Sequence, residues 1–169
     1  MSNVVDQHEA SAPKSIRCAV LTVSDTRTLE TDSGGATLVD WLERGGHTVA
    51  ARTIIRDEPD DMKKLLRWFA DDPAIDAVLL TGGTGLSSRD QTYETVSSML
   101  TKALPGYGEL FRMLSYHDIG PAAILSRAVG GLIDKTVVLT MPGSPAAVRL
   151  AMEKIIVFQL GHLVREATR

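Results

Sequence analysis

Short apolar runs alternate with segments of helical spacing along almost the whole chain, and each run ends in a polar or glycine-rich turn. Residues 17–24 and 77–81 are continuously apolar, as strands buried on both faces of a sheet are. Residues 48–55 read as a further strand. Between them, residues 36–44 predict a helix with Leu38, Trp41 and Leu42 on one face, Ser33 as its cap, and Gly45 and Gly46 as its stop. A second helix is expected from Asp60, its cap, to about Ala70, with Leu65, Leu66 and Phe69 inward. Residues 92–102 read as a third helix broken by Pro105, and residues 109–116 as a fourth. Residues 128–133 and 136–141 are strands joined by the tight turn Asp134-Lys135, so they must be antiparallel. Ser144 and Pro145 supply the cap and first turn of a last helix reaching about Glu166. Strands alternating with helices imply a mostly parallel sheet covered on both faces, and the hairpin adds one antiparallel strand.

The 169 residues suit one domain, expected over residues 16–169 behind a flexible tail at residues 1–15. Net charge is −3, which argues against a nucleic-acid partner but not against a phosphorylated small molecule held by amides. Cys18 is the single cysteine, so no intrachain disulfide can form and a cytoplasmic location is expected. The tail carries Asp6 and Glu9 and has no signal-peptide core. No apolar run approaches the roughly 20 residues that cross a bilayer, so no membrane partner is expected.

In open sheets of this kind ligands bind at the carboxyl ends of the strands. Those ends here are Ser24-Asp25-Thr26-Arg27, Arg56-Asp57-Glu58, Thr81-Gly82-Gly83-Thr84-Gly85 followed by Arg89-Asp90, and Met141-Pro142-Gly143-Ser144. Gly82, Gly83 and Gly85 let the backbone approach a ligand and turn successive amides toward an anion, and Thr81 and Thr84 add hydroxyls. The same glycines would also serve a plain strand-to-helix turn. Asp57 and Asp90 could share Mg²⁺, which favours oxygen ligands, or be a turn residue and a helix cap. Ser24 and Asp25 could meet a ligand or merely end a strand. Gly143 and Ser144 could form an anion site or a simple cap. The four histidines lack metal-ligand spacing, so no zinc is expected, and no serine lies in a GxSxG elbow.

The order of these pieces is more specific than any one of them. Leu21-Thr22-Val23-Ser24-Asp25, Asp32-Ser33-Gly34, Gly46-His47, Thr81 to Gly85 with Asp90, Pro105-Gly106-Tyr107-Gly108-Glu109, Ser126-Arg127 and Met141 to Ser144 follow one another. Over about residues 15–165 the chain resembles the MoaB/MogA family of molybdenum cofactor biosynthesis proteins, to which the gephyrin G domain also belongs. Phe111 to Ser115, Ile119-Gly120 and Ser126 to Ala128 look more like the MoaB branch.

The resemblance implies a three-layer α/β/α sandwich that binds molybdopterin and, in catalytic members, transfers AMP from MgATP to its terminal phosphate. It implies a homo-oligomer, trimer or hexamer, with other cofactor-assembly proteins as partners. It assigns Asp57 and Asp90 to catalysis and Mg²⁺, and Ser24, Asp25, Gly82, Gly83, Thr84, Gly85, Gly143 and Ser144 to substrate binding. The alternatives are a non-catalytic molybdopterin carrier and, last, a scaffold. The chain departs from the family's Thr-Pro-Glu by carrying Thr92-Tyr93-Glu94, which puts the rigidity of that loop in question.

Overall fold

The structure, a computed structural model, describes Pro13 and residues 15–169; the rest of the expected tail lies outside the described residues. Six strands, β1 (Arg17–Val23), β2 (Thr48–Ile55), β3 (Ala77–Thr81), β4 (Lys102–Ala103), β5 (Gly130–Ile133) and β6 (Thr136–Met141), form one sheet. Their spatial order is β2-β1-β3-β6-β5-β4. β2, β1, β3 and β6 run parallel, whereas β5 runs against both β6 and β4. One strand is therefore reversed, the one introduced by the hairpin.

The helices are α1 (Ser33–Arg44), α2 (Pro59–Asp71), α3 (Thr92–Met99), α4 (Pro105–Ile119), α5 (Pro145–Ala151) and α6 (Val157–Thr168). Alternation along β1 divides the interior into two cores. Cys18 and Val20 pack with Leu38 of α1, Phe111 of α4, Val148 of α5 and Leu160 of α6. Ala19, Leu21 and Val23 face the other way, onto Met62, Leu66 and Phe69 of α2 and Val96 of α3. Helices thus cover both faces of the sheet. Each of these fully buried Leu or Phe side chains contributes roughly 1.5–3 kcal/mol by leaving water.

Several boundaries differ from the sequence expectations, each for a local reason. Asp32, not Ser33, caps α1: its carboxylate accepts from the Gly35 amide at 2.8 Å. α2 begins at Pro59 with Glu58 at the cap position, ahead of Asp60. Pro fits the first helical turn, where its missing N–H costs nothing. Trp41 and Leu65 are only partly buried. α3 stops at Met99, and Lys102–Ala103 becomes a short edge strand against β5. Pro105 opens α4 as well as ending what precedes it. The strand expected from Ala128 starts at Gly130.

The final helix is interrupted by a π turn at Met152–Ile156. Buried positions recur every four residues from Val148 through Met152, Ile156 and Leu160 to Val164. On an α-helix of 3.6 residues per turn such a repeat drifts off one face. The wider π turn takes up that drift and keeps all five in the core.

Candidate functional site

β2 lies on one side of β1 and β3 on the other, so the chain reverses its direction of travel across the sheet at the β1–β3 boundary. Such a switch point opens a crevice at the carboxyl ends of the strands. A cleft of about 410 Å³ sits there, lined among others by Ser24, Arg27, Gly34, Gly82, Gly143 and Ser144. Gly34 allows its closure: a Cβ there would lie 2.8 Å from the Gly143 carbonyl.

Two serines on its rim already have structural work. Ser24 Oγ accepts from the amides of Thr26 (3.3 Å) and Arg27 (3.1 Å), shaping the loop after β1. Ser144 Oγ accepts from the Ala147 amide at 3.2 Å and caps α5. Asp32 is buried and committed, accepting from Thr22 Oγ1 at 2.8 Å and from Arg52 at 3.2 Å besides its cap bond.

The glycine loop crosses the top of the sheet between this cleft and a group of carboxylates. Gly82 and Gly83 both adopt positive φ, +96° and +62°, a region where a side chain is strained. The Gly82 amide donates to the Met141 carbonyl at 3.1 Å, and the Thr92 amide donates to the Gly83 carbonyl at 3.0 Å. These bonds staple the loop at both ends. Between them, the amides of Gly83, Thr84, Gly85 and Leu86 donate to no group among the described residues. Four consecutive amides without a partner among the described residues are candidates for an anion cradle.

Asp57 and Asp90 lie beside that loop. Asp57 is buried, 5% exposed, and its Oδ1 accepts from the Gln91 amide at 3.1 Å. Burial, helped by the nearby charges of Asp90 and Asp25, pushes its carboxyl up to about 6 despite that bond. Asp90 is not the cap of α3; Gln91 holds that position, and Asp90 Oδ2 accepts from the Ser87 amide at 3.0 Å. The same oxygen lies 2.7 Å from where a Gly85 Cβ would stand. Asp25 completes the group, accepting from the Asp57 amide at 3.3 Å and from Arg89 at 3.1 Å. The Arg89 guanidinium holds the Asp25 carboxyl below its ordinary value, and it also pairs with Glu58 at 2.9 Å.

Three participants lie in motifs that the sequence reading quoted but to which it gave no role at the site: Arg89, Thr92 and Arg127. Thr92 is fully buried, and its Oγ1 has no hydrogen-bond partner among the described residues. Thr92 Oγ1 and Asp57 Oδ2 both crowd the point that a Gly83 Cβ would occupy. An orphaned hydroxyl beside a buried carboxylate suits a divalent cation that keeps several of its ligands from water and phosphate. Among the described residues no group of three or more His, Cys, Asp or Glu could enclose a metal alone.

The fold and site define an α/β protein with a mostly parallel sheet, a glycine loop and the buried carboxyl of Asp57 at its switch point. A family described as a probable molybdopterin binding domain matches residues 19–162. Molybdenum cofactor biosynthesis protein B of Bacillus subtilis (strain 168) is 50% identical over 163 residues, 96% of either chain. A crystal structure of a molybdenum cofactor biosynthesis protein B superposes with a TM-score of 0.90 at 48% identity, covering 94% of this chain and 99% of that one. The tungsten cofactor synthesizing protein MoaB from Pyrococcus furiosus gives 0.81 at 32% identity, covering 94% of this chain and 100% of that one. The chain belongs to the MoaB/MogA family of molybdenum cofactor biosynthesis proteins.

Proposed function

We propose that this chain, as a single domain over residues 16–169, binds molybdopterin and transfers AMP from MgATP to its terminal phosphate. The observation that carries this is the row of free amides from Gly83 to Leu86 set beside the buried carboxyl of Asp57. The amides hold the acceptor phosphate, while the cleft bounded by Ser24, Gly143 and Ser144 takes the body of the pterin. Asp57 and Asp90 would hold Mg²⁺, which offsets triphosphate charge when bound. Asp25 stays ionised against Arg89 and keeps that guanidinium at the mouth of the site.

No side-chain nucleophile is needed. An oxygen of the pterin phosphate attacks the α-phosphorus, the bond from that phosphorus to the α,β-bridging oxygen breaks, and pyrophosphate leaves with the electron pair. Positioning of two anions against their mutual repulsion supplies the rate. The decisive experiment incubates the protein with molybdopterin and MgATP and measures pyrophosphate. Release that requires both pterin and Mg²⁺, and that Asp90→Asn abolishes with the fold intact, is the expected result. Undiminished activity in Asp90→Asn would sink the assigned role, and pterin binding without any pyrophosphate would make the chain a carrier.

We infer also that the protein works in the cytoplasm as a homo-oligomer, trimer or hexamer, handing its product to other proteins of cofactor assembly. The single buried cysteine supports the first point. Apolar side chains left exposed on α4 and the 3₁₀ segment Gly120–Leu125 support the second.

A further inference from the structure

Arg127 precedes β5 and reaches across to the glycine loop. Its Nε donates to the Thr84 carbonyl at 3.0 Å. Its Nη2 donates to the carbonyls of Gly85 and of Asp90, the latter at 3.2 Å. Its Nη1 pairs with Glu94, and the guanidinium carbon stands 5.4 Å from the centroid of the Tyr93 ring. The side chain is 19% exposed. Four of the five guanidinium hydrogens are therefore spent on this loop and the helix after it. Little remains for a substrate.

What the guanidinium does to the loop follows from peptide geometry. In a planar trans peptide the carbonyl and the following amide point opposite ways, and no peptide bond described here is cis. Holding the carbonyls of Thr84 and Gly85 turns the amides of Gly85 and Leu86 away from Arg127. These are two of the four free donors of the cradle. Holding the Asp90 carbonyl turns the Gln91 amide away likewise, and that amide is the one that donates to Asp57 Oδ1. One guanidinium thus fixes the direction of two cradle amides, those of Gly85 and Leu86, the backbone of Asp90 and the hydrogen bond to Asp57. Tyr93, the departure from the family's proline, supplies the ring against which it lies.

We infer that Arg127 is the positioning residue of the site: it aims the Gly85 and Leu86 amides of the cradle and, through the Asp90–Gln91 peptide, sets the Asp57 carboxylate. The inference rests on the proposed transfer reaction, and its test reads both the reaction and the loop itself. Arg127→Ala and Arg127→Lys are compared with the parent protein in the pyrophosphate assay and by hydrogen exchange. Lysine keeps the charge but has no planar fork to span three carbonyls. Both variants should therefore lose about 100-fold in kcat while KM for ATP moves by less than about threefold. In both, exchange of the Gln91 amide should speed at least about tenfold, with the amides of β3 and β6 unchanged. Exchange is read whether or not the parent protein turns over, so failure of the transferase reading leaves this result standing. Full activity in Arg127→Lys, unchanged Gln91 exchange, or uniform loss of protection across the sheet would each overturn the assignment.

Discussion

At Gly83 the backbone has φ +62°, and a methyl group there would collide with Thr92 Oγ1 and Asp57 Oδ2. Gly83→Ala therefore combines left-handed strain with expulsion of the oxygens proposed to meet a cation. It should cost about 2 kcal/mol or more in stability and lower Tm by roughly 5 °C. Binding of Mg²⁺ and pterin phosphate should fall further than stability does, which titration calorimetry on the folded variant would show. Undisturbed binding would mean the space over Gly83 is not used. Cys18 behaves in the opposite way. It is fully buried, and burial, reinforced by the charge of Asp76, pushes its thiol up to about 12. Thiol reagents should leave the native protein unlabelled at pH 8 and label it only in denaturant. Rapid native labelling would place Cys18 elsewhere than the core.

Between elements, β1 and β3 are registered at their starts by Asp76. Its carboxylate accepts from the Arg17 amide at 2.8 Å and from Arg17 Nε at 2.9 Å, and its own amide donates to the Arg17 carbonyl at 2.8 Å. Burial alone would raise the Asp76 carboxyl, but these bonds outweigh it and hold it below its ordinary value. A carboxyl whose pKa is depressed on folding adds stability above its unfolded pKa and loses it as pH falls through the folded value. Asp76→Asn should accordingly be less stable than the parent in urea at pH 7, and the difference should shrink between about pH 5 and pH 3. A gap that widens on acidification would contradict this. The sequence made such strands plain, because residues 17–24 and 77–81 are apolar on both faces, and their polar ends do meet at the carboxyl edge of the sheet. It did not reveal β4, whose Lys102 and Ala103 carry no strand pattern and pair only because the β5 edge is there. Asp57, Asp90 and the glycines stood out by residue type at strand ends. Thr92 and Arg127 lay within quoted motifs but drew no role, because a buried threonine and a single arginine acquire meaning only through what the fold brings against them. The π turn was hidden for a similar reason, since a four-residue repeat of apolar positions reads as ordinary helix.

Across the whole molecule, large apolar side chains are exposed at several places, Leu29, Trp68, Leu86 and Phe158 among them, and they are densest at the end of α4 and just beyond it. Met113, Tyr116 and Ile119 of α4 are 53%, 58% and 58% exposed, and Ile124 and Leu125 just beyond are 82% and 55% exposed. Scattered apolar residues are ordinary on a surface, but five lie here within thirteen positions, and we propose that they belong to a face that another protein covers. A second copy of this chain is the occupant proposed, as the family resemblance implies. Light scattering should then give three or six times the 18.2 kDa chain mass at micromolar concentration. Met113→Glu with Ile124→Glu should shift the protein to the single-chain mass without loss of helix signal, because both side chains lie outside the two cores. The melting temperature of the parent should rise with protein concentration and that of the double variant should not, since association stabilises by mass action. A single-chain mass for the parent protein would remove the oligomer and leave α4 free for a different partner, whereas an oligomer indifferent to both substitutions would move the interface to another face.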